Sequence, residues 1–196
     1  MIKRDAVVIG GGSTGLATGY YLSNRGVENI SILEKSYVGS GSTGRCGTGI
    51  RAQFADRPTI RMMQRSENSW NELSDILGFE FRQTGYLYLL YTDEEIDQYR
   101  EMKELQNSLG LSTRMLTPSE AKELCEFIDI SEVRGASYNP EDGKAHPFEV
   151  VTGFKKYFQS EGVDLQEKTE VTDIRLKKRG RVKIIETPDK VYKTDI

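Results

Sequence analysis

Gly10, Gly12 and Gly15 stand in a Gly-x-Gly-x-x-Gly spacing directly after the apolar run Asp5-Ala-Val-Val-Ile9. In that setting Gly10 permits a tight turn after a strand. Gly12 lets a phosphate approach the backbone, and Gly15 lets a helix pack close to a sheet. The helix that follows presents unpaired N–H groups and the positive end of its dipole, the surroundings a pyrophosphate needs. Ser13 and Thr14 lie inside that turn and count among its cofactor contacts. Glu34 ends the next apolar run, Asn29-Ile-Ser-Ile-Leu33. There a carboxylate can accept both ribose hydroxyls of a dinucleotide and repel a 2′-phosphate, and Lys35 follows it. The glycine spacing alone is weak evidence. Strand, helix, strand and acid in sequence make a dinucleotide site the stronger reading than a chance glycine turn.

A second glycine-rich stretch, Gly39-Ser-Gly-Ser-Thr-Gly-Arg-Cys-Gly-Thr-Gly49, comes shortly after the acid. Glycine and serine are also linker residues, but linkers seldom hold Arg and Cys between their glycines or follow a ribose-binding acid. Backbone N–H groups in such loops form anion-binding nests. Cys46, inside the loop, is read as a small packing residue, with covalent flavin attachment the sharper alternative. His146 precedes Pro147 at a helix start and reads most simply as a turn or cap residue. With that single histidine no His-rich metal site is possible, and no Ser-His-Asp set or Walker loop occurs.

The elements that must position these residues follow from the pattern. A helix over Leu16–Arg25 ends at Gly26. A helix with Pro58 in its first turn carries Ile60, Met63, Trp70, Leu73 and Leu77 at helical spacing. Phe79–Arg82 and Tyr86–Tyr91 read as the two strands of a hairpin around Gln83-Thr-Gly85. Thr92 with Glu95, and Thr117 with Glu120, are capping boxes that start two more helices. Val133–Tyr138 reads as a strand before an Asn139–Gly143 turn, and a helix runs from Pro147 to Ser160. Strand-like runs at 163–166, 171–176, 181–186 and 191–196 close the chain, with turns at Arg179-Gly180 and Pro188-Asp189. The fold class is α/β: a Rossmann-type FAD-binding domain with a parallel sheet, plus part of an antiparallel substrate layer. Residues 1–78 form the βαβ unit and flavin loop, 79–138 a partial cap layer, and 139–196 a return to the nucleotide domain. Lys190–Ile196 alternates like a strand and stops without turn or cap, so the chain is expected to be a piece of a longer polypeptide.

The net charge of −3 gives no reason to expect nucleic acid or an anionic membrane as partner. No apolar stretch nears the roughly 20 residues of a membrane span. Two cysteines without pairing or metal spacing suggest a reducing compartment, and the cytoplasm is the expected location.

With the extension to Gly19 and Gly26, the sequence resembles the D-amino-acid-oxidase-like family of flavoproteins. It is most similar to the β subunits of heteromeric sarcosine oxidases and to dye-linked L-proline dehydrogenases. The resemblance rests on Asp5–Lys35, Gly39–Phe54 with Arg45-Cys-Gly-Thr-Gly-Ile-Arg51, Gln83-Thr-Gly-Tyr-Leu87, and Asp142-Gly143 before His146-Pro147. It covers essentially the whole chain, and the loop is its most specific part. It implies FAD rather than NAD, with Ser42 and Thr43 on the pyrophosphate and Arg45, Cys46, Gly47 and Thr48 along the isoalloxazine edge. Val171, in Glu170-Val-Thr-Asp-Ile174, has the look of the strand that lends its backbone to the adenine edge, against an ordinary buried valine. The resemblance also implies oxidation of an amine beside a carboxylate, of the sarcosine or proline class. Hydride passes from the substrate Cα to flavin N5 and leaves an imine to hydrolyse. Arg51 is a candidate for the substrate carboxylate, or equally a structural ion-pair partner. Other subunits of a heteromeric complex are implied partners. So is FMN at a subunit interface, held in those relatives by a histidine near the place of His146, although the register against Gly153-Phe154 differs by about one residue.

Three function classes stay open on sequence: a flavin-dependent amine oxidoreductase, a non-catalytic FAD-binding or subunit-interaction module, and an NAD-linked Rossmann reductase. A second glycine fingerprint would favour the reductase, and the chain has none.

Overall fold

The apolar run after Asp5 and the glycines beyond it fold as a βαβ unit. In the computed structural model, which describes residues 1–177 and 182–196, β1 (Ile2–Lys3) and β2 (Ala6–Ile9) lead into α1 (Ser13–Ser23) and β3 (Ile30–Leu33). β2 and β3 pair in parallel from Ala6↔Ile30 to Ile9↔Leu33. Every residue of β3 is buried, as expected of a strand covered on both faces. The one polar residue in it, Ser31, is satisfied: it accepts from Arg4 Nε (2.6 Å) and donates to Asp164 Oδ2 (2.8 Å). A single 3-10 turn, Thr43–Arg45, interrupts the glycine-serine loop.

The chain then enters a second unit. Its elements are β4 (Gly49–Ile50), α2 (Arg57–Leu77), β5 (Phe81–Arg82), β6 (Tyr86–Leu90), α3 (Asp93–Ser108), β7 (Arg114–Leu116), α4 (Pro118–Leu124), β8 (Gly135–Asn139) and β9 (Gly143–Ala145). Unit 1 comprises Met1–Gly47, Leu77–Phe79 and His146–Ile196, and unit 2 comprises Thr48–Ile76 and Glu80–Ala145. The return to unit 1 supplies α5 (Pro147–Glu161), β10 (Asp164–Gln166), β11 (Asp173–Lys177), β12 (Val182–Glu186) and β13 (Val191–Thr194).

Unit 1 holds two sheets. The parallel one has the order β10-β3-β2, and the other, β1-β13-β12-β11, is antiparallel except where β1 joins β13. Unit 2 is antiparallel throughout, with the orders β4-β9-β5 and β6-β8-β7. Parallel and antiparallel sheets in one α/β chain are the fold class expected from the sequence.

Both capping boxes form: the Thr92 and Thr117 hydroxyls accept the N–H groups of Glu95 (3.1 Å) and Glu120 (3.3 Å), and each glutamate reaches back to its cap. The hairpin around Gln83–Gly85 does not. β5 pairs with β9 and β6 pairs with β8, so the two strands lie in different sheets. Gly85 makes the separation, with φ of +77° and its N–H on the Asp142 carbonyl at 2.8 Å. A Cβ there would stand 2.2 Å from the Tyr138 ring. The strand β7 carries no pattern of its own and was not foreseen. The strand expected at 171–176 begins at Asp173, and the Arg179-Gly180 turn lies outside the described residues. Among the described residues no helix is long and apolar enough to cross a membrane.

Candidate functional site

The glycine turn closes on itself before any ligand is considered. Gly10 takes φ of +102° and donates its N–H to the Leu33 carbonyl at 2.8 Å, tying the end of β2 to the end of β3. A Cβ on Gly15 would lie 2.0 Å from the Gly10 carbonyl oxygen. Only glycine permits that approach of helix to turn. The Leu16 N–H closes the first helical turn on the Gly12 carbonyl (2.9 Å), so the amides before it have no carbonyl within the helix.

Glu34 is 8% exposed and bridges two amides. Its Oε2 accepts the Gly11 N–H and its Oε1 the Ser36 N–H, both at 2.8 Å. Each oxygen takes one donor, which leaves acceptor capacity for a ribose diol. The glycine-serine loop is anchored beside it. The Gly39 N–H donates to the Gly11 carbonyl (2.9 Å), and the Gly44 N–H to the Gly39 carbonyl (2.8 Å). Thr43 then reaches the helix start: its Oγ1 accepts the Ser13 N–H at 3.0 Å and faces the Ser13 hydroxyl at 3.3 Å. A Cβ on Gly12 would meet that Oγ1 at 3.3 Å. Gly12, Ser13, Gly15, Glu34 and Thr43 are thus brought together around the N-terminus of α1. A helix end with a flanking acid and two hydroxyls fits a pyrophosphate and its ribose, which is the ADP half of FAD.

The remaining expected contacts lie on the rim or apart. Thr14, Lys35, Ser42, Arg45, Cys46 and Gly47 are exposed. Arg45 Nε donates to the Gly41 carbonyl at 3.2 Å, and the Cys46 thiol to the Thr43 carbonyl at 3.1 Å. Thr48 belongs to unit 2 and holds φ of +64°. Val171 stands in irregular backbone ahead of β11 and packs on the cluster of Leu33, Ile185 and Tyr192. The sequence placed it on a strand, but regular pairing begins only at Asp173, and the bonds beside it run to two different partners: Thr169 donates to the Glu34 carbonyl and Thr172 to the Glu186 carbonyl, each at 2.8 Å. His146 is the N-cap residue of α5, as expected, but its exposed ring makes no capping bond.

Sequence reasoning missed Glu167. Its Oε1 accepts the Val38 N–H at 2.9 Å and Lys155 Nζ at 3.0 Å, which fixes the segment between Glu34 and Gly39. The Val38 amide is the main cause that holds this carboxyl below its ordinary range, with Lys155 assisting. The partners are 129 residues apart, and no local pattern announces them.

Unit 2 carries a separate constellation. Arg51 stacks over Phe54 (5.1 Å), Tyr86 (5.5 Å) and Tyr88 (6.0 Å). Burial pushes the Tyr88 hydroxyl up to about 12, against the opposing pull of Arg51. Arg51 Nε is buried without a hydrogen-bond partner, and Arg51 makes no ion pair among the described residues. The structural ion pair entertained from sequence is therefore replaced by a three-ring aromatic seat.

The chain is similar in sequence and structure to known proteins. The β subunit of sarcosine oxidase from Rhodobacter capsulatus is 32% identical over 192 residues, covering 94% of this chain and 46% of that protein. The crystal structure of L-proline dehydrogenase from P. horikoshii superposes with a TM-score of 0.93 at 45% identity, covering 100% of this chain and 52% of that one. Glycine oxidase from Geobacillus kaustophilus gives a TM-score of 0.86 at 25% identity, covering 100% and 54%. The chain spans about half the length of the relatives it matches. Residues 5–195 match the profile described as FAD dependent oxidoreductase, and the chain belongs to that family.

Proposed function

We propose that unit 1 holds the ADP half of FAD and that the protein oxidises an amine or amino acid of the sarcosine or proline class. The observation that carries the cofactor assignment is the bond from Gly11 N–H to Glu34, beside the bond from Ser13 N–H to Thr43, at the mouth of α1. Gly10, Gly12 and Gly15 keep the backbone clear for the pyrophosphate, and the first amides of α1 with Ser13, Thr14, Ser42 and Thr43 bind it. Glu34 accepts the ribose hydroxyls. Lys35 and the exposed run Arg45–Gly47 with Thr48 are assigned to the rim of the flavin, and the backbone near Val171 to the adenine.

Bound flavin supplies the hydride acceptor. The chain's own part is to bind, orient and desolvate. Arg51 offers a guanidinium with a free donor for the substrate carboxylate, and the rings of Phe54, Tyr86 and Tyr88 fix its plane and keep water from it. The substrate class is drawn from the two relatives that are a sarcosine oxidase subunit and an L-proline dehydrogenase. Those names also support other subunits as partners, and two free cysteines suit the cytoplasm.

The test has two parts. FAD is titrated into the flavin-free protein while flavin fluorescence is followed, with NAD as the competitor. The protein isolated from its own cells is then assayed with sarcosine, proline and glycine and an artificial electron acceptor. Saturable FAD binding and reduction of the acceptor by one of these amines are expected. Tight NAD binding without flavin binding would overturn the assignment.

A further inference from the structure

Under the Arg51 seat, unit 2 buries a polar cluster with no part in the function proposed above. Asp142 is fully buried and accepts three donors: the Ala52 N–H (2.9 Å) and Asn139 Nδ2 (2.6 Å) on Oδ1, and Gln53 Nε2 (2.9 Å) on Oδ2. Gln53 also donates to the Tyr86 carbonyl (2.8 Å) and accepts the Ser137 hydroxyl (2.9 Å). The residues on either side of Arg51 in this seat, Ala52 and Tyr86, are thus both tied to Asp142, one directly and one through Gln53.

Glu67, from α2, faces this hub. It is 7% exposed, and its Oε1 is buried without a hydrogen-bond partner. The charged groups that bear on it are Asp142 and Glu141, both acidic and both on the turn between β8 and β9. Arg51, the cation of the neighbouring segment, is engaged with its three rings. Both Asp142 oxygens accept from these donors, and a second buried carboxyl set against them cannot carry charge without a large penalty.

We propose that Glu67 is a positioning residue: as a neutral carboxyl it completes the Asp142 hub that fixes the Ala52 amide and with it Arg51, and loss of its proton releases that segment. Burial, and then Asp142, push the Glu67 carboxyl up to about 8, so release falls in the mildly alkaline range. The consequence for substrate binding rests on the amine-oxidation reading, whereas the release of Ala52 does not.

The experiment is hydrogen exchange of the Ala52 amide from pH 7 to 9.5, corrected for the intrinsic rate, in the wild type and in Glu67→Gln. No flavin or substrate is needed. Glu67→Met, which fills a similar volume with no proton to lose, is the second variant should the amide fail to fold. Wild-type protection should fall at least about tenfold across that range while the variant stays level. The KM for the amine should rise in parallel in the wild type only, with kcat little changed. Equal loss of protection in wild type and variant, or none in either, overturns the proposal. Release of Ala52 with KM following the same pH profile in both overturns the link to Arg51. Exchange as expected without turnover of any amine sinks the amine reading and leaves the Glu67 switch standing.

Discussion

In unit 1 the buried acid, Glu34, is bonded to backbone amides at 2.8 Å on both oxygens. In unit 2 the buried acids face each other, and the Ala52 amide with the Gln53 and Asn139 side chains satisfies one while the other keeps an oxygen without a partner. In the first arrangement main-chain N–H groups take one acceptor site on each oxygen. The second sets one carboxyl against the next and favours a shared proton. An acid that only anchors the chain can be kept neutral at the cost of a pH limit. Unit 1 is therefore a site made by main chain, and unit 2 a scaffold made by a polar core.

Four measurements sharpen or break that contrast, in order of expected size. Asp142→Ala strands three buried donors and should cost about 4 kcal/mol in urea unfolding. The single tryptophan, Trp70, lies in unit 2 and reports it. A loss below about 1 kcal/mol would mean that the hub is not what holds unit 2. Next comes the pH response. The folded Glu67 carboxyl lies near 8 against an ordinary 4.5, so the folded state holds a proton that the unfolded chain releases. Its stability contribution is complete below 4.5 and falls as pH rises toward 8. Glu67→Gln should flatten this slope in the Trp70 signal. Glu167 in unit 1 has the opposite sign: its carboxyl is held low, so its contribution is lost as pH falls through that lowered value, which acid-promoted release of FAD would report. The same sign in both units would remove the contrast.

Glu34→Ala should weaken FAD binding by about 2 kcal/mol, roughly thirtyfold in Kd by flavin titration. Unchanged affinity would take Glu34 out of the site. The smallest effect is expected for Glu95→Ala, which opens an exposed capping box and should cost about 1 kcal/mol of unit 2 stability by the same Trp70 unfolding curve. A loss as large as that of Asp142→Ala would mean that local caps, not the buried hub, govern the unit.

What the sequence discloses follows the same division. The fingerprint was legible because its cause is local: Gly15 and Gly10 collide within six residues, and Thr92 finds Glu95 one turn away. The hairpin was misread because Gly85 answers to Asp142 and Tyr138, which no local pattern brings to it. Val171 looked like strand, yet its neighbours' hydrogen bonds go to Glu34 and Glu186, and the ladder begins only at Asp173. The hub was invisible for the same reason, since Ala52 and Asp142 are 90 residues apart. Asp142-Gly143 reads from sequence as the end of a turn and as part of a resemblance, and neither reading points to a buried hub. Close steric and capping relations can be read from sequence, and long-range polar satisfaction cannot.

The pairing of β10 with β3 has a kinetic meaning as well. Glu34 donates its N–H to the Gln166 carbonyl (2.9 Å), its own carbonyl takes Thr169, and Lys168, at φ of +53°, donates to Ser36 (2.8 Å). The stretch that carries Glu34 is latched by residues made after all of unit 2. A ribosome therefore releases the glycine fingerprint early, with its acid still unanchored. The closing contact spans 129 residues, a separation that loop-closure entropy makes slow to bridge. Unit 2 can fold while that contact waits, and the surroundings of Glu34 are expected to close last. FAD added during refolding should consequently speed only the final phase, and leave the appearance of Trp70 fluorescence unchanged.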